Sequence, residues 1–470
     1  MSDPSWVSLI PPLLAIVLAI ATRQVYLSLA AGIWAGWTVL ADWNPAAGLA
    51  DGIQGTVAVL ADDGSAKAIL FTLAIGSLIA TIEASGGVRG FVDRLERGNW
   101  VNSPIRAQFL SFIVGIVIFI ESNITVLVAG AIGRPLFDRY RISRERLAYI
   151  IDSTSAPICI LVPLNAWGAY ILGILASLGV ADPLGVFLGA VPLNLYPIAA
   201  IILTAVVILA GLNLGPMRKA EERTRAGQVL WEGATPMVDE SVLSPPPNDR
   251  IPPRARNMFG PIIAMVLMMP IGLLITGDGD PRAGSGSTSV LWAVLFGLAV
   301  SWIMLRAQKA YTVDELVRLA LKGAGGLVSM ALVLLLALSL AAVANRLGTG
   351  AWVAQVTMGV LPPFLFLPLI FVVAAFVAFS TGTSWGTFAI MLPIAVPAAS
   401  TLGLPLAPFL AASLSGGIFG DHASPISDTT IISSMAAATD HIDHVRTQLP
   451  YALLAGLVAI IGFAVIGATL

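Results

Sequence analysis

The sequence of 470 residues has few charged residues, three histidines and a single cysteine. Asp, Glu, Lys and Arg make up 11% of the chain and hydrophobic residues 57%, whereas an ordinary soluble domain is roughly a quarter charged. Cys159 lies in an apolar run, which excludes a disulfide framework and a cysteine-based metal site. Nothing in the charge balance suggests binding to nucleic acid. Most of the chain is therefore predicted to lie in a lipid bilayer.

Helix-length apolar stretches dominate the sequence. A membrane-spanning helix needs about 20 largely apolar residues, because unsatisfied backbone groups are costly in hydrocarbon. The stretches lie at 5–21, 24–41, 67–84, 107–134, 147–178, 186–212, 258–276, 289–305, 324–343, 362–397, 405–438 and 449–469. Residues 213–257 are polar and proline-rich, which predicts a flexible cytoplasmic linker. The sequence thus predicts an all-α integral membrane protein with one repeat at 1–212 and a second at 258–470.

Polar residues interrupt two apolar elements in each half. The fourth element is broken at 121–123 in the first half and at 380–384 in the second, which predicts re-entrant hairpins. The fifth is interrupted at 152–157 and at 420–425, which predicts broken helices. Irregular backbone at this depth is tolerated only where it lines a cavity or is buried in protein. Each half is therefore predicted to contain five transmembrane helices and one re-entrant hairpin.

Basic residues indicate the orientation in the membrane, because cytoplasmic loops collect Lys and Arg. With the N-terminus outside, all basic residues except Lys67, Arg282 and Arg346 fall on the cytoplasmic side. This predicts a multi-pass inner-membrane protein with both termini in the periplasm. An odd number of crossings per half makes the second repeat inverted relative to the first. Inverted repeats with broken helices are typical of secondary transporters whose site lies between the repeats.

The few ionisable residues within apolar segments are concentrated at the interruptions. Such residues are costly in the bilayer and usually face a cavity or an ion pathway. Sodium is a hard cation that prefers the oxygen ligands found beside them. One predicted ion-binding cluster contains Ser122, Asn123, Thr125, Asp152 and Ser155. The other contains Thr383, Ser384, Thr387, Asp421, Ser424 and Asp428. A purely structural role remains open for the hydroxyls, since Ser and Thr also hydrogen-bond to the preceding helical turn.

Two further residues could carry protons. Glu121 lies at the first hairpin tip, and His422, next to Asp421, titrates in the physiological range. His441 and His444 form an H-x-x-H pattern, for which a metal site is one interpretation. Their place at the predicted cytoplasmic edge favours a solvated cap or a pH-sensing role instead.

Residues 420–430, GDHASPISDTT, and 440–451, DHIDHVRTQLPY, resemble the signature of NhaC-type Na⁺/H⁺ antiporters of the ion transporter superfamily. The layout extends this resemblance over nearly the whole chain. It implies a scaffold domain and a mobile transport domain, elevator-type movement and a homodimer. It also implies Na⁺ as the coupling ion, without a cofactor, and coordination at both hairpin tips. With the two aspartates, the expected Na⁺ residues are Ser122, Asn123, Asp152, Thr383, Ser384 and Asp421.

Two functions remain open from the sequence. The first is exchange of Na⁺ for H⁺; the alternative is Na⁺-coupled transport of a small organic solute, an amino acid or a carboxylate. Trp167, Tyr170 and Trp385 lie just beyond the polar tips, where they either bind an organic cation or pack within the bundle. A channel does not need two sets of broken helices. The GxGD pattern of intramembrane aspartyl proteases is absent around Asp421. The prediction is therefore a secondary active transporter and not an enzyme.

Overall fold

The computed structural model describes residues 5–22, 24–87, 89–91, 94, 101–119, 122–236, 252–280, 284–349, 352 and 362–470. All regular structure in these ranges is helical, which confirms the all-α class. The helices up to residue 236 are α1 (Ile10–Thr22), α2 (Val25–Leu40), α3 (Pro45–Val59), α4 (Asp63–Ala84), α5 (Pro104–Val117), α6 (Ser122–Arg139), α7 (Arg144–Leu161), α8 (Ala166–Ser177), α9 (Pro183–Ala190), α10 (Leu195–Ala210) and α11 (Pro216–Arg225). Those of the second half are α12 (Arg256–Thr276), α13 (Gly286–Ala307), α14 (Val313–Gly326), α15 (Val328–Arg346), α16 (Phe366–Thr381), α17 (Ser384–Thr401), α18 (Leu406–Ala423), α19 (Asp428–Ala437) and α20 (His441–Gly467).

Several helices are long and apolar enough to cross a bilayer. Within the described ranges α4, α12, α20 and residues 288–307 of α13 meet this condition as single helices. Three bent pairs raise the number to as many as seven: α7 with α8, α9 with α10, and α14 with α15, at 48°, 42° and 46°. Helices α12 and α20 leave large apolar side chains such as Leu267 and Val465 exposed, as lipid-facing helices do. The chain is a multi-pass membrane protein, and the division into five crossings per repeat stays a prediction.

Helix α7 lies in the centre of the bundle and is buried along almost its whole length. The predicted break at 152–157 is wrong, since α7 continues to Leu161 and the bend follows at 162–165. Pro157 cannot donate a helical hydrogen bond. Such a proline is tolerated in a packed spanning helix, where neighbouring helices and hydroxyls satisfy the freed backbone groups. In this stretch Thr154 Oγ1 donates to Ile150 O at 2.8 Å. Asp152 therefore projects from a continuous helix.

The break in the second half lies close to its predicted place. Helix α18 ends at Ala423, so that Asp421 and His422 belong to its last turn. Ser424 has an extended backbone, the conformation that a following proline favours. Its hydroxyl donates to Phe379 O at 2.7 Å and ties the break to α16. This side chain thus holds the chain in place after the helix ends.

Both predicted hairpin breaks coincide with helix ends. Helix α16 ends at Thr381, and Gly382 follows with a φ of 69°, a left-handed conformation that costs glycine little. Helix α17 then begins at Ser384. In the first half α5 ends at Val117 and α6 begins at Ser122. Polar residues at each tip accordingly stand at the start of a helix.

Helices α16 and α18 pack closely through glycines. A Cβ atom on Gly420 would lie 2.0 Å from Ala375 O, and one on Gly416 would lie 2.3 Å from Phe371 O. Small residues four apart allow two membrane helices to approach in this way. The close contact fixes the end of α18, where Asp421 and His422 lie.

The first part of the predicted linker is ordered. Arg223 of α11 donates to both carboxylate oxygens of Glu145 at 2.8 and 2.9 Å, and both side chains are buried. The Ser143 hydroxyl donates to Glu221 Oε1 at 2.7 Å. The expected flexibility is therefore wrong for 213–236, because buried ionic contacts attach this segment to the start of α7.

The same segment also contacts the start of α20. The Thr235 N–H donates to Asp440 Oδ2 at 3.1 Å. Burial alone would raise the pKa of Asp440, but the N–H groups of Thr235, Asp443 and Ile442 donate to it and lower that pKa overall. Residues 213–236 therefore connect α7 and α20, the two helices that carry most of the candidate site.

Candidate functional site

Asp152 lies at the centre of a buried polar cluster and is 1% exposed. Its Oδ2 accepts a hydrogen bond from Gln448 Nε2 at 2.7 Å. The same oxygen lies 3.8 Å from His422 Nε2 and 3.9 Å from His444 Nε2. In the described part of the chain the carboxylate is thus placed between an amide and two imidazoles, without a Lys or Arg in ion-pair distance. The structure brings the predicted residues Asp152 and His422 together.

His422 is held from both sides of its ring. Its Nδ1 lies 2.5 Å from Tyr196 OH, and its Nε2 lies 3.2 Å from Ser153 Oγ. Its backbone oxygen accepts a hydrogen bond from Gln448 Nε2 at 2.7 Å. Helices α7, α10, α18 and α20 all contribute to these contacts. The ring position beside Asp152 is therefore determined by four helices.

A chain of hydrogen-bonding groups connects Asp152 to His441. His444 is fully buried; its Nε2 lies 2.9 Å from Gln448 Oε1 and its Nδ1 lies 2.8 Å from Ser434 Oγ. The same Ser434 oxygen lies 3.0 Å from Nδ1 of the half-buried His441. A solvated position is therefore wrong for His444. Among the described residues no group of three His, Cys, Asp or Glu side chains is placed to hold a metal ion.

A cleft of about 590 Å³ opens beside this chain, between α11 and the start of α20. Lys219, Trp231, Arg446 and Thr447 are among its lining residues. The Thr447 hydroxyl donates to His444 O at 2.9 Å. The cleft therefore extends to the helical turn that carries His444.

Asp421 forms a second polar contact with the tip of the second hairpin. It is 2% exposed, and its Oδ2 accepts a hydrogen bond from Ser384 Oγ at 2.9 Å. The same hydroxyl lies 3.3 Å from Gly417 O. The predicted pairing of Asp421 with Ser384 across the helix break and the hairpin tip is thus present.

Aromatic residues pack directly beyond this tip. The ring centroids of Trp167 and Trp385 are 4.5 Å apart, and Tyr170 OH donates to Trp385 O at 2.9 Å. Trp167 and Tyr170 are buried, and Trp385 is half-buried. The cluster joins α8 to α17 next to the contact between Asp421 and Ser384.

Several predicted hydroxyls donate to backbone carbonyls. Thr387 Oγ1 donates to Thr383 O at 2.9 Å, and Ser155 Oγ donates to Asp152 O at 3.3 Å. Thr125 Oγ1 donates to Ile118 O, which lies before the first hairpin tip. Like Ser424, these side chains stabilise the local backbone.

The remaining predicted residues are located only in part. Ser122 is buried at the start of α6. Glu121 lies outside the described residues, as do the side chains of Asn123 and Asp428. The predictions for these three residues stay predictions.

Sequence reasoning missed Gln448, Tyr196 and Ser153. His444 and Gln448 are four residues apart on one helix and so share a face. This spacing is visible in the sequence and could have identified Gln448. Tyr196 lies at the start of α10, in an otherwise apolar stretch, and no local pattern connects its hydroxyl to His422.

Comparison with known proteins identifies the family. Residues 158–468 match the model of the Na⁺/H⁺ antiporter family. The chain belongs to this family. It is 34% identical to an uncharacterized protein of Haemophilus influenzae, over 100% of this chain and 92% of that protein. It is also 29% identical to the arginine/ornithine antiporter ArcD of Halobacterium salinarum, over 46% of this chain and 43% of the relative. As a family member, the chain is a secondary antiporter rather than an enzyme.

A solved structure shares the fold. The YdaH transporter of Alcanivorax borkumensis matches with a TM-score of 0.57 and 17% sequence identity, over 89% of each chain. At this identity the likeness extends to the fold alone. It agrees with the all-α transporter architecture that places Asp152 and Asp421 within a helical bundle.

Proposed function

We propose that this antiporter exchanges Na⁺ for H⁺ across the cytoplasmic membrane, with the two ions alternating on the Asp152 carboxylate. One observation carries the proposal. A fully buried carboxylate in the centre of the bundle has two imidazoles and an amide beside it, and no basic side chain in ion-pair distance among the described residues. A lasting negative charge at such a position is costly. A proton or a Na⁺ ion neutralises it, and because the two compete for one group, transport of one is coupled to return of the other.

The histidine chain supplies a route for the proton. His441 is half-buried, and the Ser434 oxygen lies 3.0 Å from it and 2.8 Å from His444. His444 Nε2 is then 3.9 Å from Asp152 Oδ2. An imidazole can accept a proton on one ring nitrogen and donate one from the other, and a hydroxyl between two such rings passes a proton by rotating. We place the entrance at the cytoplasmic side, where the cleft beside Arg446 and Thr447 opens.

The architecture of the transport cycle belongs to the same proposal. We place the ion site between two inverted repeats, 1–212 and 258–470, which move by an elevator mechanism in an inner-membrane homodimer with periplasmic termini. Contacts of Asp152 with His422, His444 and Gln448 of the second half support a site between the halves. The distribution of basic residues supports the orientation.

Antiport of an organic solute is the second candidate. Trp385 and Tyr170 lie beside the Asp421 carboxylate contact, and aromatic faces with a nearby carboxylate suit an organic cation. The relative named an arginine/ornithine antiporter is consistent with such cargo. In this case Asp421 binds the solute and Na⁺ provides the driving force.

Collapse of a preformed pH gradient in proteoliposomes tests the first candidate. Addition of Na⁺ or Li⁺ should dissipate the gradient in the unmodified protein, and Asp152→Asn should slow this by at least about tenfold. Asp421→Asn should slow it as well if the second carboxylate also serves the ion. Asp182→Asn is a matched control, because Asp182 is exposed and caps a short helix at Gly185 N.

The outcome separates the two candidates. A gradient that Na⁺ collapses with Asp182→Asn but not with Asp152→Asn supports exchange at Asp152. A gradient that neither Na⁺ nor Li⁺ collapses contradicts it. In that event, uptake of labelled arginine or a carboxylate against an imposed Na⁺ gradient, compared between Asp421→Asn and the unmodified protein, tests the second candidate.

A further inference from the structure

Three buried oxygen atoms make no hydrogen bond of normal geometry: Asp152 Oδ1, Thr430 Oγ1 and Ser433 Oγ. Asp152 belongs to α7, while Thr430 and Ser433 belong to α19, which packs against α7. Both hydroxyls interact with the Asp152 carboxyl, and both residues are 0% exposed. The three atoms thus form a small group of oxygens between two helices.

Such a group is unusual in a packed interior. Nearly all buried polar groups in native proteins are hydrogen-bonded, and leaving one unsatisfied is unfavourable. Thr430 and Ser433 are three residues apart and therefore lie on the same face of α19. The other carboxylate oxygen, Oδ2, accepts from Gln448 and lies nearest the two imidazoles. The carboxylate therefore has one oxygen, Oδ2, that accepts a hydrogen bond, and one, Oδ1, that accepts none of normal geometry.

We propose that Asp152 Oδ1, Thr430 Oγ1 and Ser433 Oγ bind a single monovalent cation. All three atoms are oxygens, which hard cations prefer and soft metals do not. One carboxylate supplies one negative charge, so a monovalent ion leaves the buried group neutral. The inference rests on the proposed function for the identity of this ion, Na⁺, and assigns Thr430 and Ser433 as its ligands.

The next residue of α19 faces a different group. Ser434 Oγ lies beside His441 and His444, whereas Ser433 Oγ faces Asp152. Successive residues of a helix point about 100° apart. Helix α19 therefore presents the Ser433 hydroxyl to the carboxylate and the Ser434 hydroxyl to the histidine chain. The cation and the proton route therefore approach Asp152 from different sides.

The concentration dependence of Na⁺-driven exchange in proteoliposomes tests the site. At constant pH, Thr430→Val and Ser433→Ala should each raise the apparent KM for Na⁺ by about tenfold, because each removes one oxygen ligand of a charged group. Thr430→Ser retains the oxygen and should keep the KM near that of the unmodified protein. Thr154→Val and Ser413→Ala are matched controls, since these hydroxyls donate to carbonyls of their own helices at 2.8 and 3.0 Å.

Thermal unfolding of the purified protein in NaCl and in choline chloride provides a second measurement that needs no transport. Na⁺ should stabilise the unmodified protein and Thr154→Val, because an ion that binds only the folded state stabilises it by mass action. The double variant Thr430→Val, Ser433→Ala should lose this effect.

The two measurements separate failure of the site from failure of the proposed function. Exchange with an unchanged KM in both single variants overturns the site and leaves Na⁺/H⁺ exchange in place. If Na⁺ drives no exchange, the proposed function fails, and stabilisation decides the site alone. Stabilisation by NaCl that the double variant abolishes then supports the cation site, and its absence from the unmodified protein overturns it.

Discussion

Replacing Arg223 by Ala should release residues 213–236 from the N-terminal end of α7. Arg223 donates to both oxygens of Glu145 and to the carbonyls of Gln228 and Val229, and it lies over the Trp231 ring at 4.6 Å. The side chains of the ion pair are only 5% and 0% exposed. Solvent therefore cannot replace the guanidinium, and Glu145 would remain buried as an unpaired charge. Removing one partner of such a pair costs about 3 to 5 kcal/mol.

Hydrogen exchange followed by mass spectrometry measures this effect locally. If the segment opens as a unit, a cost of this size should speed amide exchange in α11 by about two to four orders of magnitude. Arg225→Ala is the matched control on the same helix. Its guanidinium is 67% exposed and lies 4.0 Å from Glu221, so its removal should change exchange little.

A double-mutant cycle tests the reasoning further. Glu145→Ala should destabilise the segment as Arg223→Ala does, and the double variant should lose much less than the sum of the two. Equal exchange in the Arg223 and Arg225 variants, or additive effects in the cycle, would refute the argument that the buried pair attaches the segment.

Two further predictions concern the ends of the helices at the site. Gly420→Ala should force α16 and α18 apart, because its Cβ would lie 2.0 Å from Ala375 O. We expect the variant to lose about 1–3 kcal/mol of stability in thermal unfolding and to exchange Na⁺ for H⁺ more slowly. Gly325→Ala, with open space around it, should be neutral or stabilise α14 by up to about 1 kcal/mol, and an equal loss in both variants would contradict the close-packing argument. Tyr196→Phe removes the hydroxyl 2.5 Å from His422 Nδ1 and should lower the rate of Na⁺/H⁺ exchange about tenfold while the protein remains folded; an unchanged rate would show that this contact does not position the ring.

The class of protein could be predicted from the sequence. Long apolar runs with few charges require helices in a bilayer, since only helices satisfy the backbone within such runs. The break at 380–384 was also predictable, because Gly382 lies among Ser and Thr residues within an apolar run. In the structure Gly382 takes the left-handed backbone that ends the helix. The place of the first helix break could not be predicted from the sequence. Pro157 signals an interruption, but packing around α7 keeps the helix continuous to Leu161.

The candidate site was predictable only for its rarest residues. Asp152, Asp421 and His422 stand out because a titratable group in an apolar segment is costly and therefore has a reason to be there. Gln448 carries only the weaker signal of its four-residue spacing from His444, and Tyr196, a tyrosine among apolar residues, carries none.

The sequence by itself determined that the chain lies in the membrane and which carboxylates lie within its apolar segments, because burial of charge is unfavourable wherever the helices pack. Only the tertiary structure decided the partners of those carboxylates. Gln448 and Thr430 reach Asp152 from almost 300 positions along the chain, through the packing of α19 and α20 against α7. Contacts of this kind depend on the directions in which helices face each other, and no local pattern of residues records those directions.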